Sequence, residues 1–175
     1  MAEIGDWSDS TNTQSSYVRD DTLAFESAVL KEAFAAWSAA GPIPARRQFT
    51  PRSSKAFLGN LIIFEQHDAT YLIRLMGTRI SSVLGEMQGK LIDEAVPPDV
   101  ASRWKAVLND VLTCRKPQRA VKTVAFNDLH YLEAEIFLAP LLDAGGELTM
   151  VFAAAAFRSG VAESRKLDDL ITASK

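Results

Sequence analysis

The sequence predicts an α+β domain: five strands with hairpin turns between neighbours, helices inserted after the second strand, and one more helix in front of the first. Three observations point there. Strand-like apolar runs occur near residues 61–64, 71–76, 119–126, 129–138 and 148–157, each bounded by turn residues. The longest helical pattern, residues 99–114, falls between the second and third of them. A Gly77-Thr78 pair closes the second strand and opens a short segment with Ile80, Val83 and Leu84 on one face, stopped at Gly85.

Taken in order, residues 1–21 are rich in Ser, Thr, Asp and Asn and read as a loosely attached tail, with Trp7 a lone aromatic in it. A helix is predicted from Thr22 to Ala39, capped by Asp21 or Thr22 with Glu26 in support, and ended by Gly41-Pro42. Leu23, Leu30, Phe34 and Trp37 form its apolar stripe, which must find a surface on its own sheet or on a second copy. Thr50-Pro51 suggests a short helix over 51–58. The runs 61–64 and 71–76 form a hairpin about residues 67–70. Gly89-Lys90 and residues 91–94 make a connector, broken by Pro97-Pro98. The long helix places Val100, Trp104, Val107, Leu108 and Val111 on its apolar face and Arg103, Lys105 and Asp110 on its polar side. Asn127-Asp128 and residues 143–146 are the remaining hairpin turns.

Strand 129–138 alternates clearly. His130, Leu132, Ala134, Ile136 and Leu138 are assigned to the core; Tyr131, Glu133, Glu135 and Phe137 face the other way. That second face mixes aromatics with acids, which calls for cover by the N-terminal helix or by a partner subunit. Strand 148–157 is apolar on both faces and reads as central, and its four-alanine run leaves room for a packed helix or a cavity. Residues 159–175 read as a polar tail, so the domain spans 22–158.

The charge balance excludes one class of partner. The net charge is -3, the acids concentrate in the first 21 residues, and the rest of the chain is close to neutral, so nothing attracts nucleic acid. No apolar run is long enough for a membrane span, and residues 1–17 lack the apolar segment of a signal peptide. The lone thiol, Cys114, fits a cytoplasmic setting.

The element order, together with Arg74-Leu75-Met76-Gly77-Thr78, Gly85, Gly89-Lys90, Asp93-Glu94, Glu133, Leu138-Ala139-Pro140-Leu141 and residues 143–146, resembles a PAS domain. Trp37, Pro44 and Pro51 complete the pattern, which is similar to that of small single-domain PAS-like proteins common in alphaproteobacteria and covers residues 22–158. The resemblance implies a five-stranded antiparallel sheet of order 2-1-5-4-3, helices enclosing a possible ligand cavity on one face, and a sensory role without catalytic output. A signal would then pass by contact with a separate protein, since little chain follows the last strand. Haem and flavin are disfavoured: residues 99–114 hold no His, and Cys114-Arg115 lacks the Asn-Cys-Arg setting of light-sensing flavin domains.

The candidate ligand pocket comprises Tyr71, Ile80, Leu84, Trp104, Leu108, Val111, Thr123, His130 and Ala154. The candidate homodimer surface comprises Leu23, Leu30, Phe34, Trp37, Tyr131 and Phe137. Two His and one Cys give no metal-ligand spacing, and no phosphate loop or nucleophile motif is present. Two other readings compete: a small cavity enzyme or lipid carrier built round His130, and an interaction module with a filled core.

Overall fold

The computed structural model describes residues 19–124 and 132–159. The polar tails over 1–18 and 160–175, the Asn127-Asp128 turn, His130 and Tyr131 lie outside the described residues. Along the chain run β1 (Arg19–Asp20), α1 (Ala28–Ala39), β2 (Leu61–His67), β3 (Thr70–Met76), α2 (Thr78–Leu84), α3 (Ile92–Ala95), α4 (Pro98–Cys114), β4 (Gln118–Thr123), β5 (Leu132–Leu141) and β6 (Met150–Ser159). The strands form one sheet in the order β1-β4-β5-β6-β2-β3, every pair antiparallel. Without the two-residue edge strand β1, this is the expected 2-1-5-4-3 order. Arg19 and Asp20, placed in the tail by sequence reasoning, instead pair with Arg119 and Ala120 on β4.

The sheet is buried on both faces. Strand alternation sends Ile62, Phe64, Ala134, Leu138, Ala153 and Ala155 to one side, where α2, α3 and α4 cover them. It sends Phe137, Ala139, Phe152 and Ala154 to the other, where α1 and the segment around Phe49 and Phe57 close over them. On that second side Phe137 meets Phe25, Phe34 and Trp37, and Phe152 meets Phe49 and Phe57, with ring centroids 5.0–6.3 Å apart. Edge and tilted contacts at such spacings are the favoured aromatic geometries. The Trp37 indole N–H donates to the Pro140 carbonyl at 3.0 Å, so its one polar atom is satisfied in the apolar layer.

The N-terminal helix therefore packs on its own sheet, and the face offered as a homodimer surface is internal. Leu30, Trp37 and Phe137 are buried within the chain, and only Leu23 and Phe34 of the described candidates stay half-exposed. The helix also starts later than predicted, at Ala28 rather than Thr22. Leu23 adopts a left-handed φ of 53°, and the Asp20 carboxylate accepts both the Thr22 N–H and its hydroxyl, holding residues 20–23 in a turn. The predicted helix over 51–58 is a series of turns leading into a 3-10 turn at Leu58–Asn60. Here Ser53 Oγ accepts the Thr50 N–H at 2.9 Å and donates to the Gln48 carbonyl at 3.0 Å, side-chain bonds that compete with helix.

Gly77 is the N-cap of α2, one residue before the expected Thr78. Its φ of -69° is open to any residue, so its reason is space rather than conformation. Gly85 is the opposite case: its φ of 89° lies where only glycine sits easily, and it ends α2 as predicted.

Candidate ligand cavity

Between α4 and the sheet lies a cavity of about 140 Å³. The α4 stripe Val100, Arg103, Trp104, Val107 and Leu108 forms its roof. These fall at i, i+3, i+4, i+7 and i+8, so one helical face supplies them all. Ile80 and Leu84 of α2 form an end wall. The floor is the sheet face carrying Ile62, Phe64, Ala134, Ile136, Leu138, Ala153 and Ala155. Alanines at 134, 153 and 155 create the room: larger side chains there would meet the helix. Trp104 packs edge-on to Phe64, with centroids 6.2 Å apart.

Of the predicted lining residues, Ile80, Leu84, Trp104 and Leu108 come together here. Tyr71 and Val111 are core residues away from the cavity. The Tyr71 hydroxyl donates to Asn109 Oδ1 at 2.6 Å, and burial pushes its pKa up to about 12. Thr123 borders the space, but it pairs with Glu133, so its exposed side chain belongs to the opposite sheet face. Ala154 likewise borders the space, with its side chain on the opposite sheet face. It lies between Ala153 and Ala155, and its methyl group joins the aromatic layer under α1. An alanine run carries no alternation of its own, so only the pairing of Ala153 with Leu138 and Ile62 decides which methyls face the cavity.

Two cations at the cavity escaped the sequence reading. Arg103 had been assigned to the polar side of the long helix, yet it completes the roof stripe. Lys122 pairs with Ala134 on the cavity face of β4. The signal was present in both cases: the i+3 spacing from Val100, and the period-two run Gln118, Ala120, Lys122. Burial, and then the positive charge of Arg103, lower the Lys122 pKa from its ordinary value. Arg103 also reaches Asp99 at 3.2 Å one turn earlier, an exposed pair of a kind worth only about 0.3–0.5 kcal/mol. Further along, Gln118 donates to Asp110 at 2.7 Å, closing the space between α4 and β4 with a polar clasp; Asp110 is thus half-buried rather than solvated.

The alanine pair provides a direct check. Ala154→Leu would overpack the aromatic layer and is expected to cost about 1–3 kcal/mol. Ala153→Leu projects into the cavity and is expected to cost well under that. Urea unfolding of both variants measures the difference.

The chain belongs to the PAS domain family: the family's sequence model matches residues 25–155. No curated protein matches the chain in sequence. Among solved structures it is similar to a light-oxygen-voltage domain studied with a flavin analogue, at 14% identity and a TM-score of 0.45, over 66% of this chain and 89% of the other. It is also similar to the light state of the blue-light photoreceptor Aureochrome1 LOV, at 13% identity and a TM-score of 0.44, over 70% and 98%. A sensory box histidine kinase/response regulator from Burkholderia thailandensis E264 matches at 14% identity and a TM-score of 0.37, over 66% and 88%. Among the described residues, no helix is long and apolar enough to cross a membrane, and no group of three or more His, Cys, Asp or Glu is placed to hold a metal.

Proposed function

We propose that this PAS domain is a cytoplasmic sensory module whose cavity under α4 binds a small molecule, and that binding is relayed by contact with a separate protein. The observation that carries this reading is the cavity of about 140 Å³ with aliphatic and aromatic walls. An apolar cavity of about 150 Å³ in a protein interior stays dry and takes up benzene, so the space suits a ligand of that size. We assign no turnover to the site, because its polar groups are two cations rather than an acid–base pair. A ligand shifts the relay only by the difference in its affinity for two conformations. Residues 77–98, with α2 as the cavity's end wall, are the segment we assign to that shift.

Native mass spectrometry of freshly purified protein, with a denatured control, tests the reading. A retained small ligand should appear as a mass excess lost on denaturation. Protein that is ligand-free, gains no benzene-sized ligand on titration, and loses more than about 1 kcal/mol on Ala153→Leu would instead be an interaction module with a filled core.

A further inference from the structure

We propose that the cavity takes a small organic monocarboxylate, with its apolar body under α4 and its carboxylate between Arg103 and Lys122. This rests on the reading of the cavity as a ligand site and adds the chemistry of the ligand. Three features of the site converge on it. Arg103 and Lys122 approach the same space from opposite walls, one from the helix roof and one from the sheet floor. The remaining walls are apolar, so a ligand body gains nothing there from polar groups of its own. The positive charge of Arg103 acts on Lys122, and a carboxylate beside them carries the sign opposite to both. The guanidinium has five donors, so its exposed contact with Asp99 leaves others for a ligand oxygen. The cavity volume limits the body to about the size of a benzene ring or a short alkyl chain.

Recognition would thus divide between two forces. Burial of the apolar body supplies affinity, and two charge-assisted hydrogen bonds select the acid over a neutral molecule of the same shape. Trp104, in the roof, provides the readout, because a body seated against Phe64 also meets its indole ring.

The test titrates the full chain with benzoate and hexanoate, and with benzyl alcohol and hexan-1-ol as neutral counterparts, following tryptophan fluorescence and isothermal heats at fixed ionic strength. The acids are expected to bind about tenfold or more tightly than the alcohols. R103Q and K122Q should each erase most of that preference, lowering acid affinity far more than alcohol affinity. Equal binding of acids and alcohols by the unaltered chain would overturn the carboxylate assignment while leaving the cavity reading intact. So would acid binding unaffected in the R103Q/K122Q double variant. Binding of neither class, with fluorescence unchanged throughout, would overturn both readings together. The acid–alcohol comparison needs no variant, so it decides the matter even if a substitution disturbs folding.

Discussion

Replacing Glu135 by alanine is expected to lower the stability of the fold by about 3–5 kcal/mol, the range found when one partner of a buried ion pair is removed. Glu135 is only 3% exposed, yet it is ionised. One carboxylate oxygen accepts the Glu26 N–H and the other the Ser27 N–H, each at 2.8 Å, fixing the chain where it enters α1. The same carboxylate accepts the Arg119 Nε–H at 2.7 Å, and Arg119 continues to Asp20 at 2.9 Å. Alanine would leave two backbone donors unpaired and take the nearest acceptor from a mostly buried guanidinium, which would keep only Asp20 and Glu26. Glutamine keeps an acceptor for the amides and loses the charge, so Glu135→Gln should cost less, about 1–3 kcal/mol. Burial pushes the Glu135 pKa up, but the two amides and Arg119 outweigh it and hold the group below its ordinary 4.5. The unfolded chain then binds the proton more readily than the folded one. The contribution is therefore fully present above pH 4.5 and fades as the pH falls through the lower folded value. Urea unfolding as a function of pH should show a decline on acidification that is shallower in Glu135→Gln. Asp93 and Asp143 are shifted in the same direction and titrate alike in both proteins, whereas Asp20 shares Arg119 with Glu135, so the difference reports the linked Glu135–Arg119–Asp20 group.

Gly77→Ala is expected to be comparably severe, at about 3 kcal/mol or more, and for a purely steric reason. A Cβ at this position would stand 2.3 Å from the Leu58 carbonyl oxygen and 2.4 Å from that of Gly59. Both are main-chain atoms held by the 3-10 turn, and the Gly77 N–H itself donates to the Leu61 carbonyl at 2.7 Å. No flexible side chain can yield, so either α2 or the 58–60 turn must move. Because α2 supplies the cavity's end wall, the variant should also lose ligand-dependent fluorescence changes at Trp104. Thermal unfolding checks the first effect and the benzoate titration the second. Unchanged stability would mean that the 58–60 turn is softer than its hydrogen bonds indicate.

Much of the architecture was legible because period-two and helical patterns depend on local chemistry. The inward set on β5, Leu132, Ala134, Ile136 and Leu138, was assigned correctly from alternation alone. The long helix was found within one residue of its start. What failed depended on partners distant in sequence. Glu135 was assigned only to a face that needs cover, because nothing nearby announces that the entrance to α1 will land on it. The start of α1 was misplaced since Asp20, Leu23 and the Glu135 carboxylate, rather than a capping residue, decide where the helix begins. Arg103 was passed over because a charge on an otherwise apolar stripe was attributed to the solvent side. At a cavity mouth that inference reverses: the cation belongs to the stripe. Sheet coverage on both faces also erased the inside–outside distinction on which the dimer surface rested.

The contacts that seat α1 have a further consequence, in the order of synthesis. Trp37 donates to Pro140, 103 residues later, and Glu26 to Glu135, 109 residues later. At about 5–20 residues per second, a ribosome would need on the order of 5–20 s to deliver those partners after α1 has been made. Throughout that interval Leu30, Phe34 and Trp37 have no sheet to cover, while the hairpin of β2 and β3, whose strands are joined by a two-residue turn, is free to form. The nascent chain thus presents an apolar helix before it presents a fold. Chaperone capture of the N-terminal third should rise when translation between residues 40 and 135 is slowed.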